Sequence, residues 1–271
     1  MKTVISKDGT AIAYDQLGQG PILILVSQAL SDRTETSRLA ELLAGSFTVV
    51  NYDRRGRGDS EDTPPYAVER EVEDIEALID EAGGSAFLFG SSSGATLSLE
   101  AASRLNGKVK KLFLYEPPLI VDESRPPLPE DFVRQVAELL AADRRGDALK
   151  LFLTKAMGIP ALFVTLMRFM PDWSKMKALA HTLPYDLMIT AGSLTGRPLP
   201  PGQWSSAGMP TLVVTGEKSE GFFHSGAQAL AGNLPKARHH ILEGQSHGAV
   251  VMGTKALAPV MVEFFQSKNG V

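Results

Sequence analysis

Apolar residues occur along the chain in short continuous runs separated by longer amphipathic stretches. The runs are rich in Val, Ile, Leu and Phe, which is typical of strands buried on both faces of a sheet. They occupy residues 21–27, 47–53, 86–91, 110–116, 211–216 and 239–243. Near the N-terminus, two further runs at 3–6 and 11–17 flank Asp8-Gly9, a dipeptide favoured in two-residue hairpin turns.

Between these runs the apolar residues recur at helical spacing. Val68, Val72, Ile75 and Ile79 form one stripe, and acidic residues occupy the opposite face. Further helices are predicted at 95–105 and 256–265. Strands that alternate with helices predict an α/β fold with a mostly parallel central sheet of about eight strands and helices on both faces.

The alternation stops after Glu116 and resumes near residue 211. Two proline clusters, at 126–129 and 198–201, bound a stretch without strand patterning. Within it, helices are predicted at 131–143, 146–157 and 160–170. We therefore expect a core domain built from residues 1–116 and 210–271, with residues 117–209 inserted as a helical unit.

Composition and charge exclude several classes of protein. The 271 residues are 44% hydrophobic and 21% charged, which is ordinary for a globular chain. There is no cysteine, so disulfides, thiolate metal sites and a cysteine nucleophile are excluded. A net charge of −4 argues against a nucleic-acid partner.

The hydropathy pattern bears on location and on metal binding. The longest nearly apolar stretch, residues 156–167, is too short to span a membrane, which needs about 20 residues. The N-terminus lacks the apolar core of a signal peptide, so a soluble cytoplasmic protein is expected. His239 and His240 are neighbours in a predicted strand and point to opposite faces, so we expect no metal site there. Nothing in the pattern indicates the oligomeric state.

The segment Gly90-Ser91-Ser92-Ser93-Gly94 lies between a predicted strand and a predicted helix. This is the G-x-S-x-G pattern in the strand–turn–helix context that places the central serine on a sharp turn. Flanking glycines allow the strand and helix to approach closely. The helix N-terminus directs backbone N–H groups towards whatever Ser92 attacks. Ser92 is therefore the candidate nucleophile.

A serine nucleophile requires a base. Of the five histidines, His247 follows the last predicted strand, in Gly244-Gln245-Ser246-His247. Ligands bind at the carboxyl ends of parallel strands, where both Ser92 and His247 are expected. His247 is therefore the candidate base.

Three segments together resemble the α/β-hydrolase superfamily over nearly the whole chain. They are the Ser92 turn, the sequence YDRRGRGDS at residues 52–60, and the terminal GQSH at 244–247. In that family the arginines of residues 52–60 belong to a structural loop near the site. Residues 117–209 correspond to the family's cap.

The chain departs from the family at the acid that orients the histidine. Ser219 stands where many members have an aspartate. The candidate acids are Glu116, Glu217 and Glu220. Glu116 ends a predicted strand at the alternative acid position, in a Tyr-Glu-Pro-Pro context that resembles zearalenone lactonases. We favour Glu116.

A second departure concerns the oxyanion hole. Family members often carry His-Gly after the third strand, whereas this chain has Ser27-Gln28-Ala29. The chemistry needs backbone N–H donors rather than a given side chain. We expect these donors to be Ser93 and Ala29, with Gln28 as the alternative to Ala29. A glutamine in this turn disfavours a positive φ angle.

The resemblance implies a cofactor-independent serine hydrolase that cleaves a carboxylic ester or lactone through an acyl-enzyme on Ser92. The methionines and aromatics of the cap suit a small hydrophobic substrate. A haloperoxidase-like perhydrolase, or a hydrolase or lyase of carbon–carbon bonds, remains open on the same site. The missing aspartate and His-Gly also leave open a non-catalytic ligand-binding protein.

Overall fold

The computed structural model describes residues 1–105 and 107–267. Its centre is one eight-stranded sheet, as the apolar runs predict. The strands are β1 (Lys2–Ile5), β2 (Ala11–Leu17), β3 (Ile22–Val26), β4 (Thr48–Tyr52), β5 (Ala86–Ser91), β6 (Val109–Tyr115), β7 (Thr211–Gly216) and β8 (Ala237–Leu242).

The strand order is β1-β2-β4-β3-β5-β6-β7-β8. Strands β1 and β2 pair antiparallel, and β2 pairs antiparallel with β4, whereas the strands from β4 to β8 are parallel. The chain passes from β3 to β4 on one side and then crosses to β5 on the other. This reversal opens a crevice at the carboxyl ends of β3 and β5, where ligands bind in open α/β sheets.

Eleven α-helices occur in the described residues. They are α1 (Arg33–Leu43), α2 (Val68–Glu81), α3 (Ser93–Arg104), α4 (Phe132–Ala141), α5 (Arg145–Leu151), α6 (Ala161–Met167), α7 (Asp172–Leu179), α8 (Leu183–Thr190), α9 (Gly221–Asn233), α10 (Ala249–Met252) and α11 (Thr254–Gln266). The helix predicted over 146–157 is α-helical only as far as Leu151. Residues Phe152–Ala156 continue it as a π-helical turn.

The sheet is packed on both faces. Along β3, Ile24 and Val26 face one apolar cluster, which includes residues of α2, α3 and α9. Leu23 and Leu25 face the other cluster, with residues of α1 and α11. This alternation follows from the two-residue period of a strand, and it explains why β3 reads as a continuous apolar run. The predicted fold class is confirmed.

Helices α4 to α8 all lie between β6 and β7 in the chain. They share a third apolar cluster, which contains Phe132, Val136, Leu149, Trp173 and Leu183. The polypeptide between the two strands therefore has packing of its own besides its contacts with the sheet domain.

Two negative findings concern residues 1–105 and 107–267. No cluster of three or more His, Asp or Glu side chains is arranged to hold a metal ion in this part of the chain. Across the same described residues, none of the helices combines the length and apolar character needed to cross a bilayer.

Candidate active site

A cavity of about 420 Å³ opens at the carboxyl ends of the central strands. Ser92 and His247 both line it. Its remaining wall is largely apolar and comes mostly from the polypeptide between β6 and β7. The apolar side chains from that segment are Pro118, Ile120, Leu128, Phe152, Leu153, Ala156, Met157, Met167, Met170, Met176, Leu187 and Leu194.

Ser92 occupies the strained position that its motif predicts. Its φ and ψ angles are 51° and −124°, an unusual conformation for a residue with a side chain. The Ser92 N–H donates to the Tyr115 carbonyl at 2.9 Å. Helix α3 begins at the next residue, so the first N–H groups of the helix lie beside Ser92 without intrahelical acceptors.

The two glycines of the motif are required by close backbone approach. A Cβ atom on Gly94 would lie 2.5 Å from the carbonyl oxygens of Val26 and Ser27. A Cβ on Gly90 would overlap the carbonyl oxygen of Gly94. Because neither glycine has a Cβ atom, α3 packs directly on β3 and β5, and this close packing sets the position of Ser92 relative to the sheet.

Glu116 and His247 are in direct contact. Glu116 follows β6 with φ 49° and is completely buried. Its Oε2 lies 2.6 Å from Nδ1 of His247, and its Oε1 accepts the Gly216 N–H at 2.6 Å. An ionised carboxylate can only accept, so Nδ1 carries the proton and Nε2 is left free to accept one.

Other contacts hold the His247 ring and its loop. The Phe223 ring stacks on the imidazole with centroids 4.7 Å apart. The Tyr115 hydroxyl donates to the Ser246 carbonyl at 2.7 Å. Burial, and secondarily the charge of Glu116, raises the pKa of Tyr115, so this donor keeps its proton.

The alternative acids make other contacts, although Glu220 also lines the cavity. Glu217 accepts the Gly244 N–H at 2.8 Å. Glu220 is exposed and lies 3.6 Å from Arg125. Neither carboxylate has a hydrogen bond to His247 in the described residues, so of the three candidates the structure brings only Glu116 to the histidine.

The turn after β3 and Ser93 line the same cavity. Gln28, Ala29 and Leu30 line the cavity. The left-handed conformation in this turn falls on Leu30, with φ 56°, rather than on Gln28. The unfavourable backbone angle therefore lies two residues later in the chain than the sequence suggested.

The arginines of residues 52–60 are buried structural groups. Arg54, Arg55 and Arg57 are at most 1% exposed. Arg54 pairs with Glu71, and Arg55 pairs with Asp74, each through two nitrogens. Guanidinium groups buried to this extent present no basic surface.

Asp186 also lines the cavity, although the sequence did not predict it as a site residue. It lies on α8, a helix that no pattern predicted, and it accepts a hydrogen bond from the Ser93 hydroxyl at 2.7 Å. The two residues are 93 positions apart, so no local spacing could have paired them. An acidic residue inside a mostly apolar segment is the one signal that the chain offers.

Known proteins resemble this chain along most of its length. An α/β hydrolase from Sphaerobacter thermophilus DSM 20745 is 50% identical, with a TM-score of 0.90, over 98% of this chain and 100% of that one. An uncharacterized hydrolase, YraK, from Bacillus subtilis (strain 168) is 26% identical over 68% of this chain and 76% of its own length. The enol-lactonase from Burkholderia xenovorans LB400 shares the fold, with a TM-score of 0.74 and 20% identity over 98% of this chain and 100% of that one.

A family model described as the alpha/beta hydrolase family matches residues 23–260. That span runs from β3 to α11 and includes Ser92, Glu116 and His247. Together with the sheet order and the serine turn, this match shows that the chain belongs to the α/β hydrolase family.

Proposed function

We propose that this protein is a cofactor-independent serine hydrolase that cleaves a carboxylic ester or lactone. The observation that carries the proposal is the 2.6 Å contact between Glu116 and His247, in a cavity that Ser92 also lines. A buried carboxylate that fixes the tautomer of a histidine near a strained serine is the arrangement that activates a hydroxyl nucleophile.

The first half of the reaction forms an acyl-enzyme. The Ser92 oxygen attacks the substrate carbonyl carbon, and its proton passes to Nε2 of His247. Glu116 stabilises the resulting imidazolium. The carbon–oxygen bond to the leaving alkoxide then breaks, and the alkoxide takes the proton from His247. For a lactone, the released alcohol stays tethered to the acyl group.

The second half releases the acid. A water molecule gives a proton to His247 and attacks the acyl carbon. The bond to Ser92 breaks, and His247 returns the proton to the Ser92 oxygen. The proton transfers need Ser92 Oγ and His247 Nε2 within hydrogen-bond reach in the substrate complex, where catalytic hydrogen bonds are tighter than in the free enzyme.

The backbone N–H groups of Ser93 and Ala29 are the proposed oxyanion donors. Ser93 begins α3, so its N–H has no intrahelical acceptor, and Ala29 lies in the turn after β3. Donors of this kind act on charge that develops in the transition state, and losing one costs about 10²–10³-fold in kcat.

The cavity supports a small hydrophobic substrate. Its volume of about 420 Å³ suits a ligand of drug-like size or smaller. Flexible methionines such as Met157, Met167 and Met176 adapt to different apolar groups. We propose that residues 117–209 act as a cap that covers the nucleophile and selects the acyl or alcohol group.

Labelling with a fluorophosphonate probe, followed by peptide mass spectrometry, tests the proposal. We expect Ser92 to be modified and Ser92→Ala to lose ester and lactone hydrolysis. Full activity in Ser92→Ala would overturn the mechanism. An unreactive Ser92 in folded protein would favour ligand binding without turnover. Peracid formation that exceeds ester hydrolysis would favour the perhydrolase. Cleavage of carbon–carbon bonds without cleavage of esters would favour a carbon–carbon hydrolase or lyase.

A further inference from the structure

One buried carboxylate joins three parts of the chain at the cavity. Asp186, on α8, is 2% exposed. Its Oδ1 accepts the Ser93 hydroxyl at 2.7 Å and Arg54 Nη1 at 2.8 Å. Its Oδ2 accepts Arg57 Nη2 at 2.7 Å. The Asp186 side chain therefore holds the first residue of α3 and two arginines of the loop after β4.

The same two arginines hold the turn after β3. Arg57 Nη1 donates to the Gln28 carbonyl at 2.6 Å and to the Ser31 carbonyl at 3.3 Å. Arg54 Nη1 donates to the Ser27 carbonyl at 3.3 Å. These carbonyls bracket Ala29, so the position of the turn depends on where the guanidinium groups are held.

The charge on Asp186 is stable in this setting. Burial alone would raise the pKa of Asp186, but Arg57, Arg54 and the Ser93 hydroxyl outweigh it and lower the pKa below its usual range. A buried ion pair contributes little net stability compared with apolar packing of the same volume. What the cluster does provide is fixed geometry, because every partner is held by charge-assisted hydrogen bonds.

We propose that Asp186 is a positioning residue that sets the distance between the two backbone donors, Ser93 N–H on one side and Ala29 N–H on the other. Its side-chain hydrogen bonds go to Ser93, Arg54 and Arg57 rather than to the proposed nucleophile or base. Asp186 acts through Ser93 and the two arginines. Through these contacts, the position of helix α8 influences the distance between the two backbone donors. This inference rests on the proposed function.

The test compares two substitutions that each neutralise a buried carboxylate without changing its shape. Each carboxylate pairs with one or two arginines of the loop after β4. Asp186→Asn replaces one acceptor oxygen with an NH₂ group that faces a donor. Asp74→Asn does the same to the pair with Arg55, which has no hydrogen bond to residues 27–31 or to Ser93. We expect both variants to lose stability, so they are compared at a temperature where circular dichroism shows each to be folded.

We expect kcat to fall at least about tenfold in Asp186→Asn and less than about twofold in Asp74→Asn, with KM unchanged in both. A boronic acid that forms a tetrahedral adduct on Ser92 reports on the oxyanion donors. Its inhibition constant should rise by the same factor as kcat falls. The inhibition constant of the product alcohol, which makes no oxyanion, should not change.

Equal losses of kcat in the two variants, or an unchanged inhibition constant for the boronic acid, would overturn the inference. If Asp186→Asn does not fold, Ser93→Ala removes only one of the hydrogen bonds to Asp186 and is compared with Ser98→Ala. Ser98 lies on the same helix and is also buried, but its hydroxyl donates to the Gly94 carbonyl. Equal activity in those two variants would also overturn the inference.

The proposed function fails separately from this inference. The proposed function fails if the wild-type protein hydrolyses no ester or lactone and the fluorophosphonate probe does not label Ser92. The failure of the inference is an active wild type in which Asp186→Asn and Asp74→Asn behave alike.

Discussion

Glu116 Oε2 lies 2.6 Å from Nδ1 of His247, although 131 positions separate the two residues in the chain. One follows β6 and the other follows β8, with β7 between them in the sheet. The Gly216 N–H at the end of β7 donates to the second oxygen of the same carboxylate. Three neighbouring strand ends therefore fix one acid–histidine pair.

Replacing Glu116 by Gln should lower kcat by on the order of 10²–10⁴-fold, because the amide no longer fixes the histidine tautomer or stabilises its charged form. The rate of fluorophosphonate labelling at Ser92 should fall in parallel. Steady-state kinetics on an ester substrate measures the first effect. Glu217→Gln is the control, since the Glu217 side chain accepts the Gly244 N–H and has no hydrogen bond to His247 among the described residues, and it should change kcat less than about twofold. Equal kinetics in Glu116→Gln and wild type would move the acid elsewhere.

The size of the cavity should determine the preferred acyl chain. Met167 lines the cavity from α6, whereas its neighbour Leu166 is 55% exposed. Met167→Trp should lower kcat/KM for long-chain esters about tenfold or more while sparing acetate esters, because the indole fills the space that the chain needs. Leu166→Trp should leave the chain-length profile unchanged. If both variants kept the wild-type dependence of kcat/KM on acyl chain length, the substrate would not reach α6.

The serine turn should not tolerate a larger residue at Gly94. An added Cβ lies 2.5 Å from two backbone oxygens, so Gly94→Ala should lower the free energy of unfolding by about 1–3 kcal/mol. Urea denaturation measures the loss. A Cβ added to Gly232, in α9, would meet no atom within 4 Å, so Gly232→Ala should instead stabilise by about 0.4–1 kcal/mol. An unchanged free energy of unfolding in Gly94→Ala would mean that α3 can move away from β3 at little energetic cost.

Acid should destabilise the protein partly through His239. Its Nε2 lies 2.8 Å from the Thr215 hydroxyl, which also contacts His224. Burial, followed by the charges of His224 and His240, lowers the pKa of His239. The stability that the neutral ring contributes is therefore complete above its unfolded pKa, about 6.5, and is lost as the pH falls through the lower folded pKa.

The urea midpoint of wild type should accordingly drop between about pH 7.5 and about pH 5, and it should drop less in His239→Gln. Glutamine keeps a polar group near Thr215 but does not titrate. Parallel pH curves for the two proteins would show that His239 does not contribute to acid sensitivity.

The elements that the sequence predicted are those with a strong local signal. Strands β3 to β7 are largely apolar because both faces of the sheet are covered. Helix α1 was missed although Asp32 caps it by accepting the Thr34 N–H at 2.9 Å, a signal that the sequence does offer. Helix α9 is rich in glycine and alanine, and its burial against β7 and β8 outweighs its weak propensity.

The sequence by itself determined the sheet and the serine turn, because strand burial and the approach of Gly90 and Gly94 leave patterns within a few residues. It also placed Glu116 and His247 after strands, which brings them to one edge of a parallel sheet. Only the tertiary structure decided which carboxylate contacts His247, which side chains line the cavity, and that Asp186 joins Ser93 to the turn after β3. These contacts join residues about 90 or more positions apart, and local spacing carries no information about how α8 packs on the sheet domain.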